Sequence, residues 1–440
     1  MKTIIRPETE MKNSGIEWIG NIPQNWDAVQ IRRVLLKDKN GIKIGPFGSA
    51  LTNKTTGNDE YYVYSQANLV SGDFSDTKNK VSQDVFNSLS NYEVVTGDVC
   101  LSMMGTIGKC RIIPHNIKKG IMDSHLIKIR LDNYNSRFFE YVYDKDNGGI
   151  CFVQMQKEKK GSIMDGLNTS IVKGLYVTVP PLSEQQVIAD YLDETCSKID
   201  EIIAEAKASI DEYKELKQSV IFETVTKGLE KNVDMKDSGV EWIGEIPVDW
   251  VVKKFKYVAT VNTNLVSPIG YEDYHQIAPD CIEKDSGRLI KERTVSEAGV
   301  ESWNQLFKQG QLIYSKIRPT LNKVIIAPYD GLCSADMYPL DVHENIYFVQ
   351  FAMLSKYFVG QVGLITQDRV KMPKINQDEL SNVYVAVPER TEQQKIVDWL
   401  NAQLPRYDSL IAEKESLINE LEAYKKSLIY EVVTGKRRVV

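Results

Sequence analysis

The chain has 440 residues, 42% hydrophobic and 26% charged, with a formal net charge of −6. That length and balance suit two or three globular domains, each large enough to bury its own core. No apolar run approaches the roughly 18 residues of a membrane helix, the start lacks the apolar centre of a signal peptide, and six cysteines and four histidines lie scattered without a CxxC pair. A disulfide framework and a zinc centre are therefore not expected, and the chain reads as cytoplasmic.

Taken in chain order, the first element is a phrase, MKNSGIEWIGNIPQNW at 11–26, that returns as MKDSGVEWIGEIPVDW at 235–250. VPPLSEQQVIADYLDE at 179–194 is echoed by VPERTEQQKIVDWLNA at 387–402, and SVIFETVTKG at 219–228 by SLIYEVVTGK at 427–436. Three matches in the same order define a tandem duplication. Trp18, Trp26, Trp242 and Trp250 recur in both copies, which favours a structural role over base stacking. Between the echoes the inserts at 27–178 and 251–386 are dissimilar. One scaffold is thus used twice with two different payloads, as suits binding two things, or two parts of one thing.

Both inserts carry short β-branched or aromatic runs, at 61–65, 110–114, 125–131, 311–315 and 323–327, punctuated by Gly, Asn and Asp. Short helices are expected near 137–143 and 347–358, and the whole predicts a mixed α/β (α+β) sheet or partial barrel. Each insert is followed by a helical segment that opens after proline (Pro180 and Pro181, then Pro388). Ser183 with Gln186, and Thr391 with Gln394, have capping-box spacing. Ile199, Ile203, Ala206, Ile210, Tyr213, Leu216 and Val220 form one apolar stripe, and Leu410, Leu417 and Tyr424 recur at seven, with Pro405 as an interruption. A helix over 197–227 measures roughly 45 Å at about 1.5 Å per residue. Its stripe needs a partner. An antiparallel pair within the chain and a homodimeric coiled coil both satisfy it, and the duplication favours the first.

Residues 11–180 hold 21 Lys and Arg against 17 Asp and Glu, while 181–234 hold 6 against 13. The acidic helical segment would repel a phosphate backbone, so solvent or protein is its expected neighbour. Residues 235–387 hold 16 against 19 and 388–440 balance at 9 against 9. The resulting division is 11–180, 181–234, 235–387 and 388–436. No phosphate-binding loop, GxSxG elbow or HExxH pair occurs, and Gly105 to Cys110 resembles a phosphate loop only loosely. The Asn/Asp-Pro-Pro-Tyr/Phe tetrapeptide of base-methylating enzymes is absent too, so catalysis is expected elsewhere.

On these phrases the chain resembles the specificity subunits of type I restriction–modification systems. Gly45-Pro-Phe-Gly-Ser-Ala-Leu is similar to a phrase found early in their target-recognition domains. Ser102-Met-Met-Gly-Thr-Ile-Gly-Lys and Ser315-Lys-Ile-Arg-Pro-Thr-Leu-Asn-Lys look like two mid-domain versions. The resemblance covers nearly the whole chain, and Glu389 and Arg390 depart from the usual phrase before the second helix. It implies two target-recognition domains separated by an antiparallel coiled coil of two long helices. Each would read half of a bipartite DNA site, with the helices fixing the unread spacer. It also implies partners: double-stranded DNA, two adenine methyltransferase subunits using S-adenosylmethionine, and motor–nuclease subunits using ATP with Mg. This chain itself would hold no cofactor or metal.

The DNA contacts so implied are Lys43, Gly45, Phe47, Gly48, Ser49, Ser102, Gly105, Thr106 and Lys109 in the first insert, and Ser315, Lys316, Arg318, Thr320 and Lys323 in the second. Basic loop residues contact phosphates or guanine acceptors, and Gly45, Gly48, Gly105 and Gly108 would let backbone approach closely. The competing readings are solvated charges, ordinary turns and, for Phe47, core. Glu184, Gln185 and Gln186, with Glu392, Gln393 and Gln394, are part capping and part candidate docking surface. Two rivals remain at this level: a tandem nucleic-acid adaptor outside restriction, and a coiled-coil scaffold binding only protein.

Overall fold

The computed structural model describes residues 2–46, 51, 60–158, 166–369 and 371–440. It divides into two compact units, one of residues 1–206 and 416–440, the other of residues 207–415. The division therefore falls within the helical segments and not at their ends.

In the first unit the repeated phrase folds as strand Met11–Asn13 against Asn21–Pro23, and Asp27–Gln30 pairs with Tyr176–Val179. Thr3–Ile5 pairs with Arg437–Val439, so the two described ends lie side by side. The insert forms two sheets. The larger is antiparallel, in the order Cys110–Ile112, Val99–Ser102, Leu126–Ile129, Ile42–Ile44. Its two central strands are buried along their whole length, which is why they read as continuous apolar runs without alternation. The smaller is ordered Lys80–Val81, Tyr61–Tyr64, Gly120–Met122, Glu93–Val94, with its central pair parallel.

The second unit repeats the plan: Met235–Asp237 pairs with Glu245–Pro247 and Val251–Lys254 with Tyr384–Val387. Its larger sheet runs Val324–Ile326, Leu312–Ser315, Met337–Val342, Ala259–Val261, matching the first strand for strand. The smaller sheets differ. Both contain a parallel pair flanked by an antiparallel strand: Tyr61–Tyr64, Gly120–Met122 and Glu93–Val94 in one, His275–Ile277, Gly331–Cys333 and Asn304–Phe307 in the other. The fourth strand then joins opposite edges, Lys80–Val81 beside the parallel pair and Leu265–Val266 beside the antiparallel strand. The inserts are thus one fold with different edges.

The helical segments are longer than the stripes alone predict, Leu182–Lys227 with 46 residues and Arg390–Val433 with 44. Pro405 lies inside the second, which loses one backbone hydrogen bond there and continues. Within each unit the two helices pair in the same chain and run antiparallel. In the first, Thr178, just before one helix, donates to the Val433 carbonyl at 2.6 Å, and Asp200 meets Lys425 at 2.6 Å. In the second, Lys217 meets Asp408 at 2.6 Å, and Gly228 lies against Glu392. Ile199, Ile203, Ala206 and Ile210 are buried as the stripe predicts, whereas Leu216 is exposed. The seven-residue pattern at Leu410 and Tyr424 is a correction: both are exposed, and burial falls on Leu404 and Ile418, while Leu428, which also belongs to the apolar pattern, is buried as expected. One residue turns a helix by about 100°, so a stripe read one position out faces solvent.

Among the described residues no single helix is long and apolar enough to cross a membrane. The bent pair Ile346–Leu354 and Lys356–Thr366 is apolar because Phe348, Val349, Ala352, Tyr357 and Phe358 form the core of the second unit.

Candidate nucleic-acid interface

Each unit gathers its loops at one end of its larger sheet. In the first, strand ends Ile44 and Ser102 and strand start Leu126 coincide there. Gly45 N–H donates to the Leu126 carbonyl at 2.9 Å, Met103 N–H to His125 at 3.0 Å and Leu167 N–H to Met103 at 2.8 Å. Gln66 spans the loop by donating to the Met104 carbonyl at 2.6 Å and to Thr106 Oγ1 at 2.8 Å. In the second unit, Lys316 N–H donates to Asp336 at 3.0 Å, Ile375 N–H to Lys316 at 2.9 Å and Arg318 N–H to Pro373 at 2.7 Å. Met103 with Leu167 thus corresponds to Lys316 with Ile375. The phrases singled out in the sequence do converge in each unit.

The charges at these ends differ. In the second unit Lys374 pairs with Asp336 at 2.9 Å, and Arg369 with Glu379. Lys316 Nζ lies 5.3 Å from the Tyr338 ring. Arg318 and Lys371 are exposed, and neither side chain has a partner among the described residues. Arg318 has φ +43, a left-handed conformation costly for a side chain of this size. It is held by its N–H bond to Pro373 and by Pro319 opening the following turn. Thr320 is exposed beside it. Unpaired cations on a held loop suit phosphate or guanine acceptors. Arg318→Ala is expected to lower DNA affinity several-fold. A titration across salt concentrations distinguishes the contact, since loss of a phosphate partner reduces the salt slope by about one whereas loss of a base contact relaxes one position of the site.

Several expected contacts turn inward instead. Lys109 is buried, paired with Asp146 and 4.0 Å from Asp144. Lys323 donates its ammonium to the Pro279 carbonyl. Ser102 and Ser315 are buried, closing their own loops onto the carbonyls of Thr106 and, at 3.1 Å, Ile317. A Cβ on Gly45 would sit 1.7 Å from the Asp123 carbonyl oxygen, so this glycine serves a close approach inside the protein. Gly108, at φ +92, leaves room for Phe152 in the same way. Gly45→Ala is accordingly expected to cost about 3 kcal/mol through overpacking, read as a lower unfolding midpoint. Gly105 is an exposed turn at φ +64. Lys43 donates to the Asn91 carbonyl at 3.2 Å and lies 5.4 Å from the Tyr92 ring. Phe47, Gly48 and Ser49 lie outside the described residues.

One basic surface was missed. Lys80 and Lys118 lie 4.8 and 4.9 Å from the Tyr62 ring, and Lys119 lies 5.0 Å from Phe86. Sheet register causes this, because Tyr62 pairs with Lys80 on one side and Gly120, just after the lysines, on the other. The Lys118-Lys119 doublet was the available signal. Lys118 also donates to Tyr62 Oη at 2.7 Å, a bond that raises the pKa of its ammonium.

The Glu-Gln-Gln phrases make the same indole and asparagine contacts in each unit. Trp26 Nε1 donates to Glu184 at 2.9 Å and Trp250 Nε1 to Glu392 at 3.1 Å, with both indoles buried. Gln185 accepts from Asn135 N–H at 2.8 Å, and Gln393 from Asn345 N–H at 2.9 Å. Both glutamines are buried, so the docking role expected for them has no exposed atom to act through. Gln186 and Gln394 are exposed, accepting from the side chains of the same two asparagines at 2.7 and 2.9 Å. Each asparagine in turn caps the short helix that follows it.

A duplicated frame holding two variants of one mixed α/β insert, each with its loops at the same sheet end, is the architecture of a modular recognition protein. A family model described as the type I restriction modification DNA specificity domain matches residues 39–212 and again 247–423. The chain belongs to this family. It is 28% identical to the type I restriction enzyme EcoDI specificity subunit of Escherichia coli, over 68% of this chain and 70% of that one. It is 22% identical to the putative type I restriction enzyme MjaX specificity subunit of Methanocaldococcus jannaschii, over 96% of both. A solved structure described as the structural basis of complex assembly and conformational transition of the type I R-M system shares the fold. It has a TM-score of 0.69 at 13% identity, covering 94% of this chain and 99% of that one.

Proposed function

We propose that this chain supplies the DNA address for a type I restriction–modification complex, each insert reading one half of a bipartite site. The two long helices set the unread spacer, and the repeated frame docks two adenine methyltransferase subunits. Reaction chemistry belongs to those partners: methyl transfer from S-adenosylmethionine, and ATP- and Mg-dependent translocation and cleavage by motor–nuclease subunits. The observation that carries the reading is the pairing of a constant frame with inserts that keep one larger sheet and differ at the edges of the smaller one. Readers of different sequences on a common dock need that division.

A base-resolution map of adenine methylation in the native host, with and without this gene, tests it. Loss of methylation at one bipartite motif with a fixed gap is the expected result. An unchanged map would sink the methylation reading. Salt-dependent DNA affinity would then favour a nucleic-acid adaptor, and its absence a protein scaffold.

A further inference from the structure

The repeated frame holds one site filled and its counterpart open. In the first unit the Arg6 guanidinium lies 5.9 Å from the Trp26 ring and donates to Glu184 Oε1 at 2.5 Å, while Trp26 binds Oε2 of the same carboxylate. The Arg6 side chain is only 8% exposed. The ribbon of Thr3–Ile5 with Arg437–Val439 carries it there, and Arg6 N–H donates to the Lys436 carbonyl at 2.9 Å.

The second unit has the same indole and carboxylate, Trp250 on Glu392 Oε2, and among the described residues no arginine reaches them. Only residues 229–234 join Gly228 to the repeated phrase there, and the position matching Arg6 is Glu230. Glu392 Oε1 has no hydrogen-bond partner among the described residues. A cavity of about 790 Å³ opens over the Trp250 side of the frame. Glu230, Asp234, Asp249, Glu389 and Glu392 line it against Lys227 and Lys395, so carboxylates outnumber ammonium groups. Burial pushes the Glu392 carboxyl above its ordinary range, and Asp249 and Glu230 add to the rise. Trp250 itself is only 1% exposed, so the group left open is the Glu392 carboxylate, which the paired N–H donors of a guanidinium match and a lysine serves poorly.

We infer that this cavity takes an arginine side chain of the methyltransferase subunit docked on the second unit, in the place that Arg6 fills for itself on the first. The inference rests on the function proposed above. Its test uses the full chain with the methyltransferase subunit of the same host, with the number bound and their affinities measured by sedimentation. Glu230→Arg, which supplies the arginine from within, is expected to weaken one of the two binding events tenfold or more. Glu301→Arg makes the same charge change on an exposed insert surface and is expected to bind as wild type. Glu392→Gln should weaken the same single event. Unaltered binding by Glu230→Arg and Glu392→Gln, with the wild type binding two subunits, would overturn the cavity's role alone. A wild-type chain that binds no methyltransferase would overturn the proposed function, and this inference with it.

Discussion

Replacing Trp250 with alanine is expected to destabilise the second unit by about 3–5 kcal/mol, the usual cost of emptying a large buried aromatic site. The indole is 1% exposed, and its Nε1–H satisfies Glu392, so the substitution leaves both a void and a half-buried carboxylate short of its donor. Gly228, at φ +75, packs where a Cβ would lie 3.3 Å from the same ring, which ties the end of one long helix to the start of the next repeat. Thermal unfolding should show an early transition displaced downward by many degrees. Trp26→Ala should displace the transition of the first unit in the same way. An unchanged melting profile in either variant would show that the indole is not a support of the frame.

The largest functional change is expected from exchanging residues 27–178 for the insert of another specificity subunit. Strand Asp27–Gln30 pairs with Tyr176–Val179, so this segment starts and ends on neighbouring strands and can be replaced at a single seam. Methylation in the resulting cells should move to a motif with one new half, the other half and the gap unchanged. If both halves changed together, reading by two independent inserts would be wrong. Sequencing the methylome of the exchanged strain decides the matter in one measurement.

The duplication, the mixed inserts and the long helices were legible because they rest on short-range signals: repeated phrases, proline and capping residues at helix starts, and apolar spacing. The fate of individual basic residues was not. Lys109 and its counterpart Lys323 close the loops after equivalent strands and both turn inward, whereas Arg318, earlier in the second loop, is exposed. What separates Lys109 from Arg318 is which carboxylates the fold brings near: residues 35 and 37 positions away for Lys109, and none among the described residues for Arg318. The Tyr62 cluster escaped for the same reason, since three distant strands assemble it. Glycines behaved alike, Gly45 and Gly108 making room for protein and not for a ligand.

The outermost strands of the smaller sheets have a consequence for how such inserts diversify. Lys80–Val81, Glu93–Val94 and Leu265–Val266 are two residues long, and His275–Ile277, with three, is partly covered by a bridge from His275 to Thr294. An unpaired strand edge is a template for self-association, and brevity, helped by charge at Lys80 and Glu93, blunts it. Additions at either margin can then change the surface without making the protein sticky. An insert lengthened there by several apolar residues should instead aggregate when overproduced, which sets a limit on how far these surfaces can drift while the chain stays in solution.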